Sequence, residues 1–338
     1  MEDKYDSKIE LEIIPINKEE KNNFINIPEG YETYYHIFFN EDKNKLKKNY
    51  FTKEENVKKI KIIIDEEIKS FEKLFKDCTC IEKIYFIQFN RNDINNMNEM
   101  FRGCSSLNEL NLDNFNTQNV TTMDCMFDGC SSLKEIDLTN FKTSNVTIMN
   151  GMFSGCSSLK ELNLKNFDTI NVVDMGCMFD GCSSLKELNL NNFNTINVTN
   201  MNGLFSGCSS LKVLELSNLN TINVIDMSVM FEGCSSLEEV NVSNFKTFNV
   251  TSMNSMFAKC FSLKRLNLLN FNTINVNDMT AMFVGCRSLK VLEINDDFIG
   301  KNVFSNQWMF SGCSEELKAE IKNKFKNLSD EAFVYVPI

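Results

Sequence analysis

The sequence predicts an α/β repeat solenoid with a parallel sheet on one face, short helical turns on the other, and a cap at each end. Three observations predict it. The string Met-Phe-x-Gly-Cys-Ser-Ser-Leu returns with its cysteine at 104, 130, 156, 182, 208, 234, 260 and 286, a constant step of 26. Each unit carries Leu-x-x-Leu-x-Leu, whose last two leucines share one side of a strand. Each also carries apolar residues at i, i+3 and i+4, as in Met201, Leu204 and Phe205, the spacing of one helical face.

The unit from Leu185 to Cys208 shows the expected order. Leu188 and Leu190 alternate as a strand. Asn192-Phe193-Asn194-Thr195 is rich in turn formers around one aromatic, and Asn197-Val198-Thr199 can begin a short helix through Leu204 and Phe205. Gly207 suits a left-handed helix end. No unit can bury its own apolar side, so neighbours must stack. A late copy ends at Cys313, a degenerate one surrounds Cys78, and a weaker one begins at Val57. The expected organisation is an N-terminal cap or small module over 1–56, a solenoid of about ten coils over 57–313, and a helical cap over 314–338. Residues 1–73 hold 31 charges, against 41 in the much longer stretch 74–313, which separates the two regions in composition. The amphipathic segment 315–327, begun by Ser314, is expected to form the closing helix.

The columns also explain an unusual composition. Sixteen of 17 methionines fall in two columns and ten of 13 cysteines in one. Methionine beside a phenylalanine column reads as packing. The cysteine column reads as buried, reduced thiols. No Cys-x-x-Cys pair exists, a single file cannot surround an ion tetrahedrally, and in-register side chains stand too far apart for disulfides. The Asn and Thr columns (Thr117 and Asn119 onward) read as internal capping of loop backbone. Asp77 and Lys259 replace the column glycine and are expected to mark strained or altered turns. Cys80 and Cys125 lie outside the cysteine column and are the candidates should any thiol be reactive.

The pattern Leu-x-x-Leu-x-Leu with Asn-Phe-x-Thr-x-Asn-Val-x-x-Met-x-x-Met-Phe-x-Gly-Cys-Ser-Ser over 74–313 resembles the BspA-like leucine-rich-repeat proteins. That resemblance implies a leucine-rich-repeat array that works as a binding scaffold. Bacterial members look like surface adhesins with export signals and anchors. Neither is visible here: the start is acidic and lacks an apolar core, and no anchor motif closes the chain. The expectation is a cytoplasmic protein, with the cell surface as the alternative.

Function classes narrow accordingly. The net charge is −11 and disfavours nucleic acid, whose phosphates require clustered Lys and Arg. No apolar run approaches the ~20 residues of a membrane span. With a single histidine, His36, and no phosphate loop or paired-carboxylate signature, the expectation is no enzyme, no catalytic residue, no metal, no cofactor and no small-molecule substrate. What remains is a protein partner of unspecified identity, bound on outward strand positions. The first column gives Glu109, Glu135, Glu161, Glu187, Val213, Glu239, Arg265 and Val291. The next contributes Asp137, Glu215 and Glu293, with Leu269 two residues further on. A lysine row (134, 160, 186, 212, 264, 290) is expected to offset the glutamates. The face turns less acidic toward the C-terminal half, and that half is the preferred patch.

Overall fold

The computed structural model describes residues 7–300, 302–326 and 328–337. The chain forms two compact units, Met1–Phe167 and Asp168–Ile338. The first begins with an antiparallel module. Strands β1 (Ile9–Pro15), β3 (Tyr35–Phe39), β5 (Ile60–Ile64), β6 (Ile81–Phe89) and β7 (Glu109–Asn111) form one sheet in the order β3-β5-β1-β6-β7. Period-two alternation puts Ile9, Leu11 and Ile13 of β1 in the core beside Ile60, Ile62 and Ile64 of β5. Strands β2 (Lys21–Asn23) and β4 (Tyr50–Thr52) form a separate pair, with Phe24, Phe39 and Phe51 clustered nearby. The sheet changes from antiparallel to parallel at β6, which pairs with β1 on one side and β7 on the other. Thus β6 is where the module passes into the repeats.

The expected boundary at 56 is therefore displaced. Residues 60–64, counted with the repeats from the spacing around Val57, pair antiparallel with β1 and β3 and complete the N-terminal sheet. Coil-to-coil pairing starts at Ser70 with Asn96. The buried Arg91 ties this junction, donating to the carbonyls of Asp65, Glu66 and Ile68. The lone His36 meets Asp65 at 2.8 Å, and Lys8 reaches the other Asp65 oxygen at 3.0 Å. His36 is thus a member of the N-terminal module.

The repeats are not helical. Around Met201 to Cys208, three successive turns close by i to i+3 bonds: Leu204 N to Met201 O (3.2 Å), Ser206 N to Gly203 O (3.0 Å) and Cys208 N to Phe205 O (3.2 Å). The amides between them donate to the following coil instead: Met201 to Asp226 O (3.1 Å), Gly203 to Ser228 O (2.9 Å), Phe205 to Met230 O (2.9 Å) and Gly207 to Glu232 O (2.6 Å). An α-helix would send every such amide four residues back. Two left-handed residues per coil permit the turns, at the column of Gly203 and at that of Gly207. The apolar spacing that suggested a helix survives, because stacked turns also bring Met201, Leu204 and Phe205 to one side, where all are buried. Among the described residues the α-helix is α1 (Glu315–Lys324).

The expected continuous sheet is also reduced, to short parallel pairs. In the second unit β8 (Val213–Leu214) pairs with β9 (Glu239–Val240), and β10 (Arg265–Asn267) with β11 (Val291–Glu293). Inside, the columns pack as ladders. Phe205, Phe231, Phe257, Phe283 and Phe310 stack with centroids 5.3–6.0 Å apart. Eight ladder thiols (104, 130, 156, 208, 234, 260, 286 and 313) donate to the carbonyl of a phenylalanine in the coil before, as Cys234 Sγ does to Phe205 O at 3.1 Å. That carbonyl also takes the Cys208 amide, so cysteine adds a small apolar group with one useful donor. Thr195 is buried and bridges coils both ways, donating to Asn220 O and accepting from Asn220 N, each at 2.8 Å.

Helix α1 closes the array. The Ser314 hydroxyl accepts from Leu317 N, and Leu317 and Ile321 are buried. The predicted helix over 315–327 ends at Lys324, and Asn327 lies outside the described residues. The chain then supplies a last half-coil: Trp308 N donates to Glu331 O, Phe310 N to Ala332 O, and Phe333 stacks on Phe310.

Two predictions follow from these geometries. Val229 is β-branched yet left-handed, at φ 51°. Val229→Gly should raise stability by about 0.5–1 kcal/mol, strain relief exceeding the added chain entropy. Gly207→Ala should lose more than about 1 kcal/mol, since its Cβ would meet Gly181 Cα at 3.1 Å. Urea unfolding checks both, and a lower midpoint for Val229→Gly contradicts the assigned turn. The second concerns Asp65. Burial opposes its ionisation, but hydrogen bonds from His36 and Lys8 prevail and hold the carboxyl below its usual value. A carboxylate depressed in the fold stabilises above the unfolded pKa and loses that contribution as pH falls through the folded one. The thermal midpoint of Asp65→Asn should therefore trail wild type most above about pH 4 and converge with it in stronger acid. A gap that widens in acid contradicts the assignment.

Candidate functional site

Strand alternation decides which side chains face outward. In the second unit Leu214, Val240, Leu266 and Leu292 point inward, so their neighbours are exposed: Val213 and Glu215, Glu239, Arg265, Val291 and Glu293. Parallel register then sets Val213 beside Glu239 and Arg265 beside Val291, with Glu293 beside Asn267. These residues line an open depression of about 420 Å³, whose floor is Leu214, Val240 and Leu266. Its rim offers three carboxylates, one guanidinium and two valines, Val213 being 61% exposed. Such a surface can pair with cations and cover apolar side chains at once. Asn241 and Asn267 also line it. Both belong to the second outward column that holds Glu215 and Glu293.

The other sequence-predicted residues divide by what they do. Glu187 of the second unit and Glu135 and Glu161 of the first are exposed. Glu109 is already engaged: Lys83 Nζ lies 2.7 Å from one oxygen and Tyr85 Oη donates to the other at 2.7 Å, and these bonds lower its pKa. Asp137 is a turn former. Its Oδ1 accepts from Thr139 N at 2.8 Å, and the Oδ1 atoms of its column mates Asn111, Asn163, Asn189, Asn241 and Asn267 likewise accept from the amide two residues ahead. In that column Glu215 and Glu293 depart from the Asx pattern, and both sit on the depression. Leu269 is exposed, but its place is the turn after β10, outside the lining. The lysine row was expected to neutralise the glutamate column. Lys264 instead pairs with Glu238, the residue one coil before it in its own column.

The thiols offer little nucleophilic chemistry. Cys80 is buried and Cys125 half-buried, and burial pushes each up to about 12. No group of three His, Cys, Asp or Glu among the described residues is arranged to hold a metal. No helix among them is long and apolar enough to cross a membrane.

The two outward columns differ in kind, and substitution distinguishes them. Asp137→Ala should cost about 0.5–1.5 kcal/mol by removing the turn acceptor, whereas Glu135→Ala should stay within about 0.5 kcal/mol. Equal losses in chemical denaturation would contradict the separation into turn-forming and free positions.

No curated protein and no solved structure matches the chain. A family model described as "Mycoplasma protein of unknown function, DUF285" matches residues 44–138, 69–187, 130–213 and 203–324. Its overlapping matches begin in the N-terminal module, run through the repeats and reach into α1. The chain belongs to the DUF285 family.

Proposed function

We propose that the protein is a non-enzymatic repeat scaffold that captures another protein on the sheet face of its second unit. The observation that carries this reading is the depression around Arg265. There the exposed apolar residues Val213 and Val291 coincide with the acids Glu215 and Glu293, which depart from the turn-forming column. Surface positions released from a structural role are free to serve recognition. Three carboxylates around one arginine favour an extended partner segment carrying Lys or Arg between apolar residues.

The finer likeness is to BspA-like leucine-rich-repeat scaffolds, which supports binding as the role. The cytoplasm is the favoured compartment. Column thiols serve as hydrogen-bond donors, a use that reduced cysteine permits. Four of the sequon asparagines, Asn119, Asn145, Asn197 and Asn249, commit their amide nitrogens to carbonyls of the preceding coil. Glycosylation there would sacrifice those bonds. Labelling of intact cells tests the surface-adhesin alternative.

The face itself is tested by selecting peptides from a random display library on the wild-type protein. Enriched sequences should combine Lys or Arg with apolar residues. Their affinity should fall about tenfold or more in Glu215→Lys/Glu239→Lys/Glu293→Lys and hold in Glu135→Lys/Glu161→Lys. Enriched peptides that bind the first variant as well as wild type would remove this face from the account.

A further inference from the structure

The N-terminal module holds a small cavity of its own. Strand β3 lies at the edge of the five-stranded sheet, and alternation puts Tyr35, Ile37 and Phe39 on its inner side. Beside it runs the segment 46–49, whose Leu46 amide donates to Ile37 O at 2.8 Å. The segment 27–32 leads through the 3-10 turn Glu32–Tyr34 into β3. Residues of the strand and of both segments line a cavity of about 180 Å³. Ile27, Ile37 and Leu46 give it an apolar wall.

The polar lining is what sets this cavity apart from a packing void. The Tyr35 side chain is only 2% exposed, yet its hydroxyl has no hydrogen-bond partner among the described residues. A buried hydroxyl without a partner opposes folding, and phenylalanine would fill the same space without that cost. Burial pushes the hydroxyl up to about 12, so it stays protonated and able to donate. The half-buried side-chain amide of Asn49 also lacks a partner among the described residues, and the exposed Lys47 forms no ion pair there. The other charged lining groups are engaged. Lys48 pairs with Glu55, and Glu32 accepts from Gly30 N at 3.3 Å. The cavity thus combines an apolar wall, two uncommitted donors and one uncommitted cation.

We infer that this cavity binds a small monocarboxylate with a compact apolar body, phenyl or branched aliphatic. Size sets the body: an apolar cavity of about 150 Å³ accepts benzene, so this one has room for a ring of that size and a carboxylate. The donors set the headgroup, since the Tyr35 hydroxyl and the Asn49 amide can each give a hydrogen bond to a carboxylate oxygen. Lys47 sets the sign, and a single free cation near Glu32 suits one negative charge better than two. Sequence motifs pointed to no small-molecule substrate, and a site built on one buried tyrosine leaves no motif. The cavity lies in the first unit, so the inference does not depend on the depression around Arg265.

Titration of the full chain with benzoate, followed by saturation-transfer NMR, tests it. Benzoate should bind saturably at one site, and benzylammonium should bind at least about tenfold more weakly. Tyr35→Phe should weaken benzoate about tenfold and leave the unfolding midpoint without benzoate no lower than wild type, because the oxygen removed has no protein bond to lose. Lys47→Gln should weaken it about threefold. Leu46→Trp, which adds bulk from a half-buried wall position, should abolish binding. Should Tyr35→Phe misfold, the exposed Lys47 position still reads the site. No saturable signal up to about 10 mM benzoate, equal binding of benzylammonium, or folded Tyr35→Phe and Lys47→Gln variants that bind benzoate as wild type does would overturn the inference.

Discussion

The structure depends on a division of labour among backbone amides. Within each run of turns, alternate amides close the turn and the others reach the next coil. Neither set suffices alone: without the inter-coil bonds a coil is a string of isolated turns, and without the turns the chain cannot return in register. The alternation requires two left-handed residues per coil, and it forces side chains between them inward. Phenylalanine, methionine, cysteine and leucine then stack upon themselves, so each coil's core is finished by its neighbours within the unit. The N-terminal module, helix α1 and the last half-coil supply what the end coils lack, the first by a sheet that turns parallel at β6, the second by Leu317 and Ile321, the third by Phe333.

Cysteine shows how tightly this arrangement selects residue type. A larger apolar group would collide in a ladder packed at coil spacing, and alanine would leave the phenylalanine carbonyl one donor short. A thiol fills the site and hydrogen-bonds to the coil before. Burial raises its pKa, Cys234 to about 12, which keeps it protonated and able to donate. The columns that look most like chemistry in the sequence are thus among the most purely structural.

Much of the fold was legible because a ladder repeats its constraint. Period, buried columns and the threonine bridges follow from residue type, while Asp77 and Lys259, at φ 57° and 58°, keep the left-handed turn of the glycines they replace and are strained, not altered. The helix was misread for a physical reason: a stack of turns and a helical turn bury the same i, i+3, i+4 set. The other left-handed column escaped notice because glycine fills it at 151 and 203 while Glu99, Cys125, Val229 and Trp308 fill it elsewhere. The boundary at 56 failed because Ile60, Ile62 and Ile64 alternate identically in antiparallel and parallel strands. At the candidate site exposure was predictable from alternation, and role was not. Asp137 reads as an acid for docking and acts as a turn acceptor, whereas Glu215 and Glu293 stand out only once the asparagines around them are seen bonding to their own turns.

The central claim is the alternating backbone pattern, and through-hydrogen-bond scalar couplings measure it directly. In perdeuterated protein the Phe205 amide should couple to the carbonyl carbon of Met230, its acceptor in the following coil. The neighbouring Leu204 and Ser206 amides should couple to Met201 and Gly203. A coupling from Phe205 to the Met201 carbonyl, four residues back, would establish a helical turn and contradict the account.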